Sequence, residues 1–188
     1  MLRTKLVFVI AACMLLMVCG LAAGSAQARP GKGETWLQLN VDGKGVVVIK
    51  LETAKAPKTT EHIASLASSG FYDGQKFFKV IKEPRPFLVQ FGDPASKSSA
   101  KESELGQGGS GTRVAYEDSG LANVEGAVGL STLPRDPNSG DSIFYICLSE
   151  SKFLDGKYTV FGKVVAGMDI VKAVKEGDKV SSVSILRG

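Results

Sequence analysis

Apolar and polar residues alternate through TWLQLNV (residues 35–41), and the β-branched run GVVVIKLE (45–52) follows it, so both read as strands with a face on a core. Asp42-Gly43-Lys44 joins them. Asp-Gly tolerates the positive φ of a tight turn, which predicts a hairpin. The period then changes: Ile63, Leu66 and Ala67 repeat at helical spacing after Pro57, with Thr59 and Thr60 as candidate caps and Ser69-Gly70 as the stop. Strand-like runs return in KFFKVI (76–81), FLVQFGD (87–93), TRVAYED (112–118), AVGLSTL (127–133), SIFYICLS (142–149) and TVFGKVV (159–165). GMDIVKAVKEG (167–177) fits a second helix, and VSSVSILRG closes the chain. Many short strands with few helices predict a mainly β protein, a barrel or a sandwich. No internal repeat or interdomain linker divides it, and residues 95–111, rich in Ser, Lys and Gly, read as one long surface loop.

The first 28 residues belong to a different pattern. MLRTK is a short basic segment, LVFVIAACMLLMVCGLAAG an uncharged apolar run, and Ala26-Gln27-Ala28 the small-x-small pattern that a signal peptidase accepts. The reading is a signal peptide over 1–28, a short linker over 29–34 and one domain over 35–188, exported to a periplasmic or extracellular space. The rival is an uncleaved anchor, since the apolar run approaches the length that spans a bilayer core. Once the signal is cleaved, nothing else in the chain calls for a membrane.

Composition then removes several function classes. With 44% hydrophobic and 22% charged residues, the 188-residue chain suits one globular domain. Arg3 and Lys5 fall in the acid-free leader, leaving 21 basic residues against 19 acidic ones without a dense basic run, so there is no electrostatic footprint for nucleic acid. Cys13 and Cys19 leave with the signal. Cys147 remains as a lone thiol in an apolar run, read as a core residue. His62 is the single histidine, which excludes a histidine-rich zinc site and leaves little for a Ser-His-Asp triad. Gly106-Gln107-Gly108-Gly109-Ser110-Gly111 satisfies G-x-G-x-x-G, yet a strand-like run follows it where a dinucleotide site needs a helix.

The succession APKTTEHIASLASSGFYDG, KFFKVI, FLVQFGDP, GQGG, SIFYIC and FLDGKYTVFGKVVAGMDIV resembles the cyclophilin-type peptidyl-prolyl isomerases over roughly residues 35–187. The resemblance implies a closed eight-stranded antiparallel barrel capped by two α-helices, monomeric, with no metal and no cofactor. An outer groove would take proline-containing peptides or unfolded proteins. The family usually carries Phe-His-Arg-Val/Ile where this chain has Phe77-Phe78-Lys79-Val80, so Lys79 stands at the position of the catalytic arginine and Phe78 at that of the histidine. Phe87, Leu88 and Gln90 match the F-[ML]-x-Q pocket segment, and three residues around Glu83-Pro84-Arg85 look inserted before it. On the far wall Leu133 and Pro134 replace Ala-Asn and Ile143 replaces Gln, while Phe144 is retained. Phe153 stands at a Trp or Phe position, Leu154 is retained and Tyr158 replaces a frequent His. The apolar pocket implied is thus Phe87, Leu88, Phe144 and Leu154, its polar lining largely changed.

An imide C–N bond resists rotation by ~18–20 kcal/mol because twisting destroys its resonance. A groove that grips the proline ring and offers a hydrogen bond stronger in the twisted state lowers that barrier without a nucleophile or metal. Lysine is a flexible point charge where arginine presents a rigid fork, so Lys79 predicts a slower isomerase. Two alternatives stay open from the residues: a non-catalytic peptide-binding or chaperone-like module of the same fold, and a Lys79 that is only a solvated barrel residue.

Overall fold

Which residues face inward is decided by the pairing of eight antiparallel strands in the computed structural model, which describes residues 29–98 and 101–188, without the side chain of Glu102. The leader read over 1–28 lies outside them. The strands are β1 (Thr35–Val41), β2 (Gly45–Leu51), β3 (Lys79–Ile81), β4 (Leu88–Phe91), β5 (Ala127–Leu130), β6 (Phe144–Cys147), β7 (Val160–Ala166) and β8 (Val180–Arg187). They form one sheet in the order β3-β4-β6-β5-β7-β2-β1-β8. The β1–β2 hairpin forms as the sequence predicts, in register from Thr35 opposite Leu51 to Val41 opposite Gly45.

The closed barrel is corrected to a half-barrel, because no ladder joins the edge strands β3 and β8. KFFKVI does not form a full strand. Only its last three residues do, and β8 is already paired along its length with β1. The gap is crossed by looser ties. Lys76 bridges Lys179, the Phe77 N–H donates to the Asp178 carbonyl at 2.9 Å, and the Gly177 N–H donates to the Phe77 carbonyl at 2.9 Å. The Val80 N–H donates to Glu176 Oε1 at 2.9 Å.

Helix α1 (Pro57–Ser68) ends as its sequence indicates, with the Gly70 N–H on the Ala67 carbonyl and the Phe71 N–H on the Leu66 carbonyl. Its start differs. Thr59 and Thr60 lie inside the first turn, and the cap is Glu117, which accepts from the Lys58 N–H at 3.0 Å and from the Thr59 N–H and hydroxyl at 2.8 and 2.7 Å. Burial pushes the Glu117 carboxyl up, but these donors outweigh it and hold the group below its usual range. That task explains why TRVAYED is no strand. Apart from a bridge between Val114 and Gly140, the segment runs as irregular chain that delivers Glu117 to the helix. Helix α2 is Met168–Ala173, shorter than the predicted 167–177, because Val174–Val180 is drawn off to the β3 edge, where Lys82 Nζ also donates to the Val174 carbonyl at 2.6 Å.

Alternation divides the sheet into two apolar layers. Leu37, Leu39, Ile49, Val89, Phe91, Val128, Phe144, Ile146 and Phe161 point into the main core, under α1 and α2. Its centre is aromatic. The Phe144 ring packs on Tyr72, Phe91 and Phe161 with centroids 5.9, 5.5 and 5.9 Å away. The opposite face of β4, β5 and β6 carries a smaller cluster of Leu88, Ala127, Tyr145, Cys147, Leu154 and Val160. Phe144 is therefore a core residue and not the groove residue that sequence matching made it. It pairs with inward Phe91 and is fully buried. Phe144→Ala is expected to cost ~3–5 kcal/mol of folding stability, read from the denaturant midpoint. A cost below about 1 kcal/mol would place the ring outside the core.

Candidate active site

On the outer face, register assembles two rows of side chains across β3, β4 and β6. Lys79 pairs with Gln90 and Gln90 with Tyr145, while Ile81 pairs with Leu88 and Leu88 with Cys147. Between these rows and the turn at Lys152–Leu154 lies a cavity of about 170 Å³, floored by Phe87, Leu88, Tyr145 and Leu154, with Lys79 and Gln90 on one wall. Ser131, Thr132 and Tyr158 form the other rim. Leu88, Tyr145 and Leu154 of the floor are buried. Phe153 stands at the mouth, 56% exposed, with its ring 5.4 Å from that of Phe87. Gln90 Nε2 donates to Ser131 Oγ at 3.1 Å, which fixes the amide across the groove. The Lys79 side chain is exposed at the edge of this floor.

Tyr145 takes the place that sequence matching gave to Phe144. Its outward direction follows from β-sheet parity, because Leu88 and Gln90 face out and their partners on β6 are Cys147 and Tyr145. The ring lies over Gly129, where a Cβ would overlap it, and meets Tyr158 edge-on at 5.8 Å. Its hydroxyl donates to Asn123 Oδ1 at 2.7 Å, and Asn123 Nδ2 donates to Asp155 Oδ1 at 2.8 Å. Burial pushes the Tyr145 hydroxyl far up, so it stays protonated and keeps donating. The Asn123 amides hold the Asp155 carboxyl below its usual range. Beneath the floor, burial pushes the Cys147 thiol up to about 12, so it remains an inert apolar group.

The remaining residues singled out in the sequence lie around a second cavity of about 280 Å³ beside the first, the two sharing Ser131 and Thr132. Ile143, buried, and Leu133, 42% exposed, line it. Phe78 is buried too, but the predicted alternation fails there. Phe77 enters the core, Phe78 turns out to meet Gly106, and the regular strand begins only at Lys79. The glycine-rich loop has a structural task. Buried Asp93 accepts from the Gly106 and Gly108 N–H groups at 2.6 and 3.3 Å, and Asp141 accepts from the Ser110 and Gly111 N–H groups at 3.0 and 2.9 Å. A Cβ on Gly108 or Gly109 would overlap those carboxylates. His62 on α1 sits half-buried with Nε2 3.4 Å from Asp141 Oδ1, and so serves this loop and not the groove.

A third cavity, of about 400 Å³, continues from the first along its far rim, sharing Thr132 and Tyr158 with it. Leu133, Pro134, Arg135 and Asp136 form one wall as a tight turn, closed by the Asp136 N–H on the Leu133 carbonyl at 3.1 Å. Arg135 has φ 68°, a left-handed conformation that costs a side chain-bearing residue on the order of 1–2 kcal/mol.

The fold and site are thus an antiparallel half-barrel with an external apolar groove that carries one amide and one cation on its wall. Residues 36–187 match the family model described as cyclophilin type peptidyl-prolyl cis-trans isomerase/CLD. A mouse peptidyl-prolyl cis-trans isomerase-like 1 is 34% identical over 146 residues, covering 75% of this chain and 82% of its own. The fission yeast (Schizosaccharomyces pombe) isomerase ppi1 is 37% identical over 131 residues, covering 68% and 77%. Among solved structures, a Cryptosporidium parvum cyclophilin type isomerase superposes with a TM-score of 0.69 at 23% identity, over 82% of this chain and 99% of its own. The same protein in the presence of the dipeptide Ala-Pro superposes with a TM-score of 0.67 over 81% and 99%. The chain belongs to the cyclophilin-type peptidyl-prolyl cis-trans isomerases.

Ser131, Thr132, Ile81 and Tyr145 line the groove without having been singled out in the sequence. Only Tyr145 left a signal there, as the polar-tipped member of the face opposite Phe144 and Ile146. Tyr145→Phe keeps the ring but leaves Asn123 Oδ1 only the weak Cys147 thiol donor at 3.9 Å, so a stability loss of about 1 kcal/mol is expected by denaturant unfolding. A neutral change would mean that water replaces the hydroxyl.

Proposed function

We propose that the protein is a peptidyl-prolyl cis-trans isomerase of exported proteins in which Lys79 is the hydrogen-bond donor and turnover is low. The observation that carries this reading is the pairing of Lys79 with Gln90 over the apolar cavity, which puts a cation and an amide beside the seat for a proline ring. In this reading the ring enters between Phe87, Leu88, Tyr145 and Leu154, Gln90 engages the peptide backbone, and the ammonium reaches the imide nitrogen as twisting localises its lone pair. Such a bond is worth more in the twisted state than in the planar one, which is the condition for catalysis.

Reduced turnover follows from the same geometry. The ammonium is exposed and hydrated, on a stem with four rotatable bonds, and Phe78 and Ile143 stand apolar where the family pattern has His and Gln. These two side chains also favour a second reading, a proline-peptide-binding or chaperone-like module that grips without turning over. Losing one charge-assisted bond of ~1.5–3 kcal/mol slows the reaction roughly ten- to a hundred-fold. Exchange NMR on an Ala-Pro peptide separates the readings. Lys79→Arg is expected to raise the cis-trans exchange rate about ten-fold and Lys79→Ala to lower it further. Three equal rates from folded proteins would leave the binding module standing.

Export rests on the basic start, apolar run and Ala-x-Ala of residues 1–28. Intact-mass measurement on protein from the exported fraction is expected to give a chain beginning at Arg29. A mass retaining Met1, with membrane attachment, would favour the uncleaved anchor.

A further inference from the structure

We infer that the groove selects proline segments bearing an acidic side chain within about three residues of the proline, seated between the turn at Pro134-Arg135 and the turn at Gly156-Lys157. This deepens the proposed function and rests on its placing of the proline ring over Leu88 and Tyr145. The cavity between those turns is continuous with the proline seat through Thr132 and Tyr158, so a peptide leaving the seat on that side passes along it. At ~3.3 Å per residue of extended chain, two or three residues carry a side chain that far.

The charges of this cavity are unbalanced. Arg135, Lys157 and Asp136 are its charged lining. Asp136 is already engaged, with Oδ2 3.5 Å from Arg113 Nη1 and Oδ1 accepting the Asn138 N–H at 3.1 Å. Among the described residues, neither Arg135 nor Lys157 forms an ion pair. Two free cations therefore face the path of the peptide, and Lys79 adds a third at the other wall. Backbone conformation supplies an independent observation. The third position of the Leu133–Asp136 turn is one where glycine fits without strain, yet the chain holds an arginine there at φ 68°. A strained position kept for a long cationic side chain fits a role for its charge. A carboxylate is the side chain that two such cations attract, whereas lysine or arginine in the substrate meets like charge.

The test is a set of Ala-Ala-Pro-Ala peptides with Glu, Ala or Lys placed in turn at the positions flanking the proline, titrated into the full protein and followed by exchange NMR. At about 20 mM salt one position is expected to bind Glu about three- to ten-fold more tightly than Lys, and the gap is expected to shrink at about 0.5 M salt. The difference should fall in the dissociation constant, with exchange at saturation similar for the two peptides, because a distant charge binds planar and twisted states alike. Reversing both cations, Arg135→Glu with Lys157→Glu, should invert the preference, and exchanging them, Arg135→Lys with Lys157→Arg, should retain it. Equal affinities for Glu and Lys at every position, or a preference that survives charge reversal, would overturn the inference while leaving isomerisation of the Ala peptide intact. Absence of binding for all peptides, the Ala form included, would instead remove the proline-seat reading, and the acidic preference with it.

Discussion

The pairing of Leu88–Phe91 with Phe144–Cys147 is the constraint on which the site depends. Four residues on each strand, held in one antiparallel register, send Val89, Phe91, Phe144 and Ile146 to the core and Leu88, Gln90, Tyr145 and Cys147 to the groove. A slip by one residue would exchange the two sets, placing Gln90 among aromatic rings and Phe144 in water. The aromatic centre opposes that slip, because Phe91, Phe144, Phe161 and Tyr72 pack on one another in this register. Core packing and groove chemistry are thus two faces of the same eight residues.

Much of this was legible in the sequence, and the losses have physical reasons. The hairpin and α1 carry short-range signals, an Asp-Gly turn and a helical apolar period with its stop, and both form within a residue or two of the prediction. TRVAYED has strand composition but is used to bring Glu117 to a helix 58 residues earlier, a long-range debt that no local pattern records. β3 is shorter than its apolar run because Phe77 and Phe78 leave the alternation, one into the core and one onto the glycine-rich loop. Identity with a family pattern assigns Phe144 to the groove, whereas parity across the strand pair assigns Tyr145, because the outward Gln90 pairs with Tyr145.

The glycine-rich loop shows how a motif can be real and yet mean something other than its pattern. Gly108 and Gly109 are required because two carboxylates, Asp93 and Asp141, approach the backbone too closely for a Cβ. What resembles a phosphate cradle is a loop wrapped around the protein's own anions, which already take the N–H groups of Gly106, Gly108, Ser110 and Gly111. His62 ties α1 to the same carboxylate, so helix, loop and second cavity are joined through Asp141.

The missing ladder between β3 and β8 divides the groove into a stiff part and a soft part. Leu88 and Tyr145 of the apolar floor stand on strands paired on both sides, whereas Lys79 rides on a three-residue edge strand whose outer side is held by isolated bonds to 174–180. Local opening is cheapest where backbone partners are fewest. The wall that bears Lys79 can therefore shift while Leu88 and Tyr145 stay fixed, so the two sides of one groove differ in how easily they yield.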